Sequence, residues 1–337
     1  MKMIFTILFS FIIVSFANAA IRTVSNSSGL PAQYNSLPAA ITASNAGDTL
    51  YVYGTDIDYG NIALDKKIAI IGTGPFPFSK LNSQRTYING ITLTTSSDGS
   101  VLRGFETYYI QTDASVDNIS IKNVSINNYL RIYGNNWLIE NDVFTYNNGR
   151  VVYFEYNSSS NITIQNCYIS GYISRNGKSV TGSIFRNNLF IGVGDAFSDN
   201  ITADITNNIF CKNATPGSGS SVFKNNLTCN GVNAIPNTFP NADNVNSAAA
   251  ANSVFVEYVY NEPFYLSRNY HLAAGSPAIG IAYGGGDAGI YGGSSPGTSS
   301  QNELFPNIPV IKYMLLNSTS VQQGGNLDVK IKAFKQN

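Results

Sequence analysis

The sequence predicts an all-β solenoid, one chain wound into coils of short parallel strands. A phrase recurs between Ile119 and Thr228: Ile121-Lys-Asn123, Ile139-Glu-Asn141, Ile164-Gln-Asn166, Phe185-Arg-Asn187, Ile205-Thr-Asn207 and Phe223-Lys-Asn225. Its successive Asn residues stand 18, 25, 21, 20 and 18 positions apart. Inside each repeat, apolar and polar residues alternate with period two, the pattern of a strand that buries one face. An α-solenoid would need longer repeats and a period of about 3.6 residues. Neither is present.

The Asn column has a physical cause. A sharp corner needs a residue that tolerates positive φ and bonds its own backbone, and Asn does both. Stacked coils lie about 4.8 Å apart. The side chains of Asn123, Asn141, Asn166, Asn187, Asn207 and Asn225 can therefore form an amide ladder from rung to rung. Gly104, 19 residues before Asn123, takes the same corner.

In chain order, residues 1–19 read as a cleaved secretory signal. Lys2 gives a basic start, Ile4 to Phe16 an apolar run, and Ala17-Asn18-Ala19 a small-x-small cleavage site. That run falls short of the roughly 20 residues a spanning helix needs. The expected product is secreted or held at the cell surface, and is not an integral membrane protein. Residues 34–48 read as a helical cap, with Leu37, Ala40, Ile41 and Ser44 at helical spacing and Gly47-Asp48 ending it. Strands follow at Leu50–Tyr53, Ile68–Ile71, Tyr87–Leu93 and Val101–Phe105, and the regular rungs run to about Cys229. Residues 230–253 read as an irregular loop and Val254–Tyr260 as a final strand. The solenoid with its cap spans 20–293, a Ser/Gly/Pro-rich linker 294–307, and a β hairpin or tail 308–337, with strands at Val310–Leu316 and Leu327–Phe334.

The repeats resemble the right-handed parallel β-helix of the pectate-lyase-like superfamily, in its secreted bacterial form. Two later segments, Tyr270-His-Leu-Ala-Ala-Gly-Ser-Pro-Ala-Ile279 and Gly286-Asp-Ala-Gly-Ile-Tyr-Gly-Gly293, look like the terminal coil of such proteins. The likeness covers roughly residues 21–293. It implies a single-stranded right-handed parallel β-helix with an N-terminal helical cap and a short C-terminal β tail. It implies no single activity, because the superfamily holds lyases, hydrolases, epimerases, adhesins and catalytically silent proteins.

Lys+Arg and Asp+Glu each total 20, so the formal net charge is zero. A protein that neutralises nucleic-acid phosphates carries a basic excess, so nucleic acid is not an expected partner. Charged residues make up 12% of the chain, against about 25% in ordinary domains. Asn, Ser, Thr and Tyr supply the polar surface instead. A polysaccharide or a cell-surface component is the partner such a surface fits.

Cys211 and Cys229 each lie four residues after a corner Asn, so they stack on adjacent rungs within disulfide reach. Bridged, they would contribute about 3 kcal/mol in the chain-entropy model; the other reading is two small reduced residues. Cys167 has no such mate.

Two outward columns could carry chemistry. Arg103, Lys122, Glu140, Gln165, Arg186, Thr206 and Lys224 precede the corners, and read as a solvated face with cross-rung ion pairs. Arg131, Tyr133, Arg150, Tyr153 and Glu155 follow the corners, and are the residue types a sugar-binding groove uses. The resemblance implies that a lyase would employ a Lys or Arg base, with calcium or another cation at the uronate carboxylate. Lys122, Arg131 and Arg186 are the candidates for base or clamp. Asp195, Asp199 and Asp204 are the candidate calcium ligands, although their spacing of four and five residues in a Gly-rich loop is explained better by turn formation. The only His, His271, lies far in sequence from these Asp residues, which argues against an inverting hydrolase. The leading expectation is thus an exported β-helix whose side wall binds a glycan or surface partner without catalysis, with no resident cofactor. The alternative is a lyase cleaving a uronate polysaccharide by β-elimination; the third is a structural surface protein.

Overall fold

The computed structural model describes residues 19–293, apart from 76–84, 148, 156–158, 178–179, 193, 199–200, 214–220, 231, 236–239, 260–261, 263–264 and 266–267, together with the backbone of 310–316 and 329–334. The expected signal (all but its last residue), the expected linker and Asp199 lie outside the described residues.

The fold is an all-β parallel β-helix. Among the described residues, ten strands from Ile21–Val24 to Val222–Lys224 form one sheet in strict chain order. Twelve of the described strands, from Asn61–Leu64 to Val245–Asn246, form a second. Every pairing in both sheets is parallel. A coil runs along the first sheet, turns a corner, and returns along the second. Ile121, Ile139, Ile164, Phe185, Ile205 and Phe223 stack in register and fill the interior. This is the repeat read from the sequence.

The corner between the sheets is built as that reading requires. Asn123, Asn141, Asn166, Asn187, Asn207 and Asn225 all have φ between 53 and 58°, and Gly104 takes the corner before them with φ 71°. The hydrogen-bonded ladder, however, sits one residue later. Asn188 donates to Asn208, Asn208 to Asn226 and Asn226 to Asn244, at 3.0, 3.0 and 2.9 Å. Each Nδ2 also donates to a carbonyl of the preceding rung. A second ladder, absent from the sequence reading, joins Asn118, Asn136 and Asn161 at the corner that leads into the first sheet.

Other boundaries moved. The helix Leu37–Ala43 buries Leu37, Ala40 and Ile41, with the Ser36 hydroxyl accepting from the Ala39 N–H as its N-cap. It lies inside the first coil, because Ile21–Val24 already forms a rung ahead of it. At the other end, Val245–Asn246 adds a rung to the expected series. Asp243 makes that corner, with φ 54°; an Asp in place of Asn concealed it. Residues 254–259, the described part of the expected final strand 254–260, are not a strand: Ala251–Val254 is a helical turn, and Phe255 makes an isolated antiparallel bridge to Leu272.

The segment 270–293 does not form a further coil. It runs back along the Asn corner: Asn225 donates to the Ile281 carbonyl, Asn207 accepts from the Tyr283 N–H, and Asn166 donates to the Ile290 and Gly292 carbonyls. Together with 251–258 it covers a second apolar cluster outside the coil. Alternation shows this plainly, since Phe190 belongs to the interior while Leu189 and Ile191 belong to the outer cluster. Cys211 and Cys229 sit in that outer cluster and are disulfide-bonded. Cys167 is a buried free thiol in the interior. In the tail, Val310–Leu316 pairs antiparallel with Val329–Phe334.

Candidate functional site

The second sheet leaves its outer face open at its N-terminal half, and a row of tyrosines crosses it. Tyr109 lies over Gly90, where a Cβ would stand 2.3 Å from the ring. Tyr109 stacks on Tyr129 with centroids 5.5 Å apart and planes 17° apart. Tyr129 meets Tyr153 at 5.4 Å with a tilt of 52°. The Arg150 guanidinium then lies 4.7 Å from the Tyr153 centroid. One ring per rung follows from the parallel register, because Gly90, Tyr109 and Tyr129 are consecutive Cα partners.

Stacking covers ring faces and turns ring edges and phenol oxygens outward. Tyr108, set at 74° to Tyr109 and exposed, instead offers a face along which a sugar ring could lie. Burial raises the Tyr129 and Tyr153 phenols above the ordinary tyrosine range. They remain neutral hydrogen-bond donors at neutral pH. Tyr129 donates to Gln111, and Gln111 to Thr92. Arg131 pairs in register with Tyr153 and donates to the Thr112 carbonyl, with Asp113 at 3.8 Å. Asn127 donates to Glu106, which also pairs with Arg85.

Of the residues expected in this groove, the structure gathers Arg131, Arg150 and Tyr153. Tyr133 follows the strand Ser125–Ile132, and its carbonyl accepts from the Val116 N–H. Glu155, also past its strand, accepts from Asn176. Tyr108, Tyr109, Gln111 and Tyr129 were missed. The signal was available, since Tyr109-Ile-Gln111 and Tyr129-Leu-Arg131 show the same alternation two rungs and one rung earlier.

The outer face of the first sheet holds a chain of cross-rung bonds. Lys122 pairs with Glu140, Gln165 donates to Glu140, and Arg186 donates through Nε to Gln165, each at 2.8 Å. Lys122, a candidate base, is therefore held in an ion pair. Arg186 borders the returning C-terminal segment. Asp195 is exposed and bridges to Asn213, and Asp204 points outward from the strand Ala203–Thr206. Among the described residues no group of three or more His, Cys, Asp and Glu is placed to hold a metal. His271 stacks on Tyr291 at 4.2 Å and bonds Asn269. The buried Lys212 ammonium donates to the Ser170 and Gly171 carbonyls, and burial pushes its pKa down to about 8.

No helix among the described residues is long and apolar enough to cross a membrane. No protein-family model and no curated protein matches the chain. What the fold and this face define is a parallel β-helix with an open tyrosine-rich wall.

Proposed function

We propose that the chain is an exported β-helix of the pectate-lyase-like kind that binds a hydroxyl-rich glycan along the open face of its second sheet. The row Tyr109, Tyr129, Tyr153 and Arg150 is the observation that supports this reading most directly. Aromatic edges, phenol oxygens, amides and the guanidiniums of Arg131 and Arg150 alternate there along several rungs. Such a surface contacts sugar C–H groups and hydroxyls together, without the strong charge that a nucleic acid or a highly acidic polymer would require. The apolar run at the N-terminus supports export to where such a polymer is met.

The test is binding of the mature protein to a panel of neutral and acidic polysaccharides by pull-down and calorimetry. The same mixtures are followed by ultraviolet absorbance for new unsaturated ends. Binding that the Tyr108→Ala/Tyr129→Ala and Arg131→Ala/Tyr153→Ala variants lose supports the reading. Unchanged binding in both variants, or none to any polysaccharide, overturns it. A rise in absorbance would make the chain a lyase and return Arg131 and Arg186 to candidacy as base or clamp.

A further inference from the structure

A cleft of about 390 Å³ lies between the outer face of the first sheet and the returning C-terminal segment. It belongs to a different sheet from the tyrosine row. Arg186, Thr206 and Lys224 line its floor on three consecutive rungs, and Asn187 and Tyr283 line its sides. Three of these features point to a ligand.

First, the hydrogen-bonding groups of the floor side chains are mostly donors. Arg186 spends its Nε on Gln165, and its remaining guanidinium nitrogens make no hydrogen bond among the described residues. Lys224 has no ion pair among the described residues, and both cations are exposed. Second, a buried donor is left over. Asn166, Asn207 and Asn225 each bond the backbone of the returning segment. Asn187 lies in the same column and is 3% exposed, yet its Nδ2 has no partner among the described residues. A buried N–H without a partner is costly, so the position favours an incoming acceptor. Third, the segment above it is bare. A Cβ at Gly292 would stand 2.7 Å from the Asn187 Nδ2, and one at Gly293 2.9 Å from its Oδ1. At Gly293 the missing side chain keeps that space open, whereas Gly292 is bare because its Cβ would first meet the Asp287 carbonyl at 2.0 Å.

We infer that this cleft is a second binding site, one that takes a single oxyanion group through Arg186, Lys224, Thr206 and the Asn187 amide. A fork of guanidinium donors with a nearby ammonium suits a carboxylate, sulfate or phosphate. Tyr283 is 86% exposed at the rim. It offers a ring face to whatever carries the anion, as a sugar acid would.

Calorimetry on the mature protein with sodium sulfate, sodium phosphate and sodium glucuronate, each against chloride at matched ionic strength, tests the site. Saturable binding of at least one probe with Kd of about 1 mM or tighter is expected. Arg186→Gln/Lys224→Gln should weaken it at least tenfold. So should Asn187→Asp, which keeps a residue that tolerates positive φ and places a carboxylate where the amide stood. Tyr283→Ala separates the sources. A loss confined to glucuronate assigns the site to a glycan substituent, and equal binding of all probes in this variant assigns it to a free oxyanion. Either result supports the site. Absence of saturable heat with all three probes, or full affinity in the Arg186→Gln/Lys224→Gln variant, overturns it.

Discussion

Compare Asn127 with Cys229. Each stands four residues after a corner Asn, on the same pleat of the second sheet, and each points out of the coil. Asn127 is half-buried and donates to Glu106 on the open wall. Cys229 is buried beneath the returning segment and bonded to Cys211. Rung by rung this column reads Asn127, Thr145, Ser170, Ile191, Cys211, Cys229. The outward column two residues earlier reads Ser125, Val143, Tyr168, Leu189, Ile209, Leu227. Polar residues give way to apolar ones along the helix axis, and the cover begins where they do. Identical backbone register thus serves two ends. A polar outer face remains available to a ligand, whereas an apolar one becomes a second core.

The largest effect follows from that second core. Ile209→Ala should cost about 2–5 kcal/mol in urea unfolding, because Ile209 is fully buried between sheet and cover. Tyr129→Ala, on the open half, should cost about 1 kcal/mol, chiefly lost ring contact. Equal losses would mean that the halves do not differ as described. Next comes the bridge. Replacing Cys211 and Cys229 together by Ala should cost about 3 kcal/mol, the value for a loop of this size in the chain-entropy model. A reductant should lower the melting temperature of the wild type and leave the double variant unmoved. A reductant-insensitive wild type would show that the bridge does not contribute.

On the open half the effect moves from stability to affinity. Tyr129→Ala should weaken glycan binding about tenfold, or about 1.4 kcal/mol. A variant of the covered half that stays folded, such as Leu227→Val, should leave affinity unchanged. Loss of affinity in Leu227→Val would place the ligand elsewhere. Much of this division is present in the sequence. The interior column and the positive-φ corners follow from period-two alternation and repeat spacing alone, whereas the pairing of Arg131 with Tyr153 does not, being offset by 22 residues on a rung whose corner repeats after 18. The cover does not, because residues 254–293 have no repeat of their own. What fixes their path is their fit to Leu189, Ile209 and Leu227, contacts remote in sequence. The cleft was hidden for the same reason: Arg186 and Lys224 were legible as a column, but Tyr283 and Gly293 reach them only through the folded chain.

The last prediction concerns the junction of the halves. Just after the corner, successive rungs carry Val124, Asp142, Cys167, Asn188, Asn208, Asn226 and Asn244, so the buried amide ladder stops short of Asp142. Asp142 nonetheless behaves as a ladder member: its Oδ1 accepts from the Val124 N–H at 2.7 Å, as Asn226 accepts from Asn208. Its Oδ2 is buried with no partner among the described residues. Burial raises this carboxyl well above the ordinary range, and the Val124 N–H only partly opposes that. Burial thus favours the protonated acid, which matches the Asn amide at Oδ1 but lacks at Oδ2 the carbonyl partner that each Asn Nδ2 has. The folded state holds this proton more tightly than the unfolded chain does. Stability is accordingly full below the ordinary carboxylate pKa of about 4, and falls as pH rises toward the elevated folded value. Asp142→Asn removes that slope. Melting temperatures of variant and wild type should differ least near pH 4, where this is the smallest of the four effects, and diverge in favour of the variant as pH rises. Parallel profiles would show that Asp142 is ionised in the fold, and the ladder would then end at Asn188.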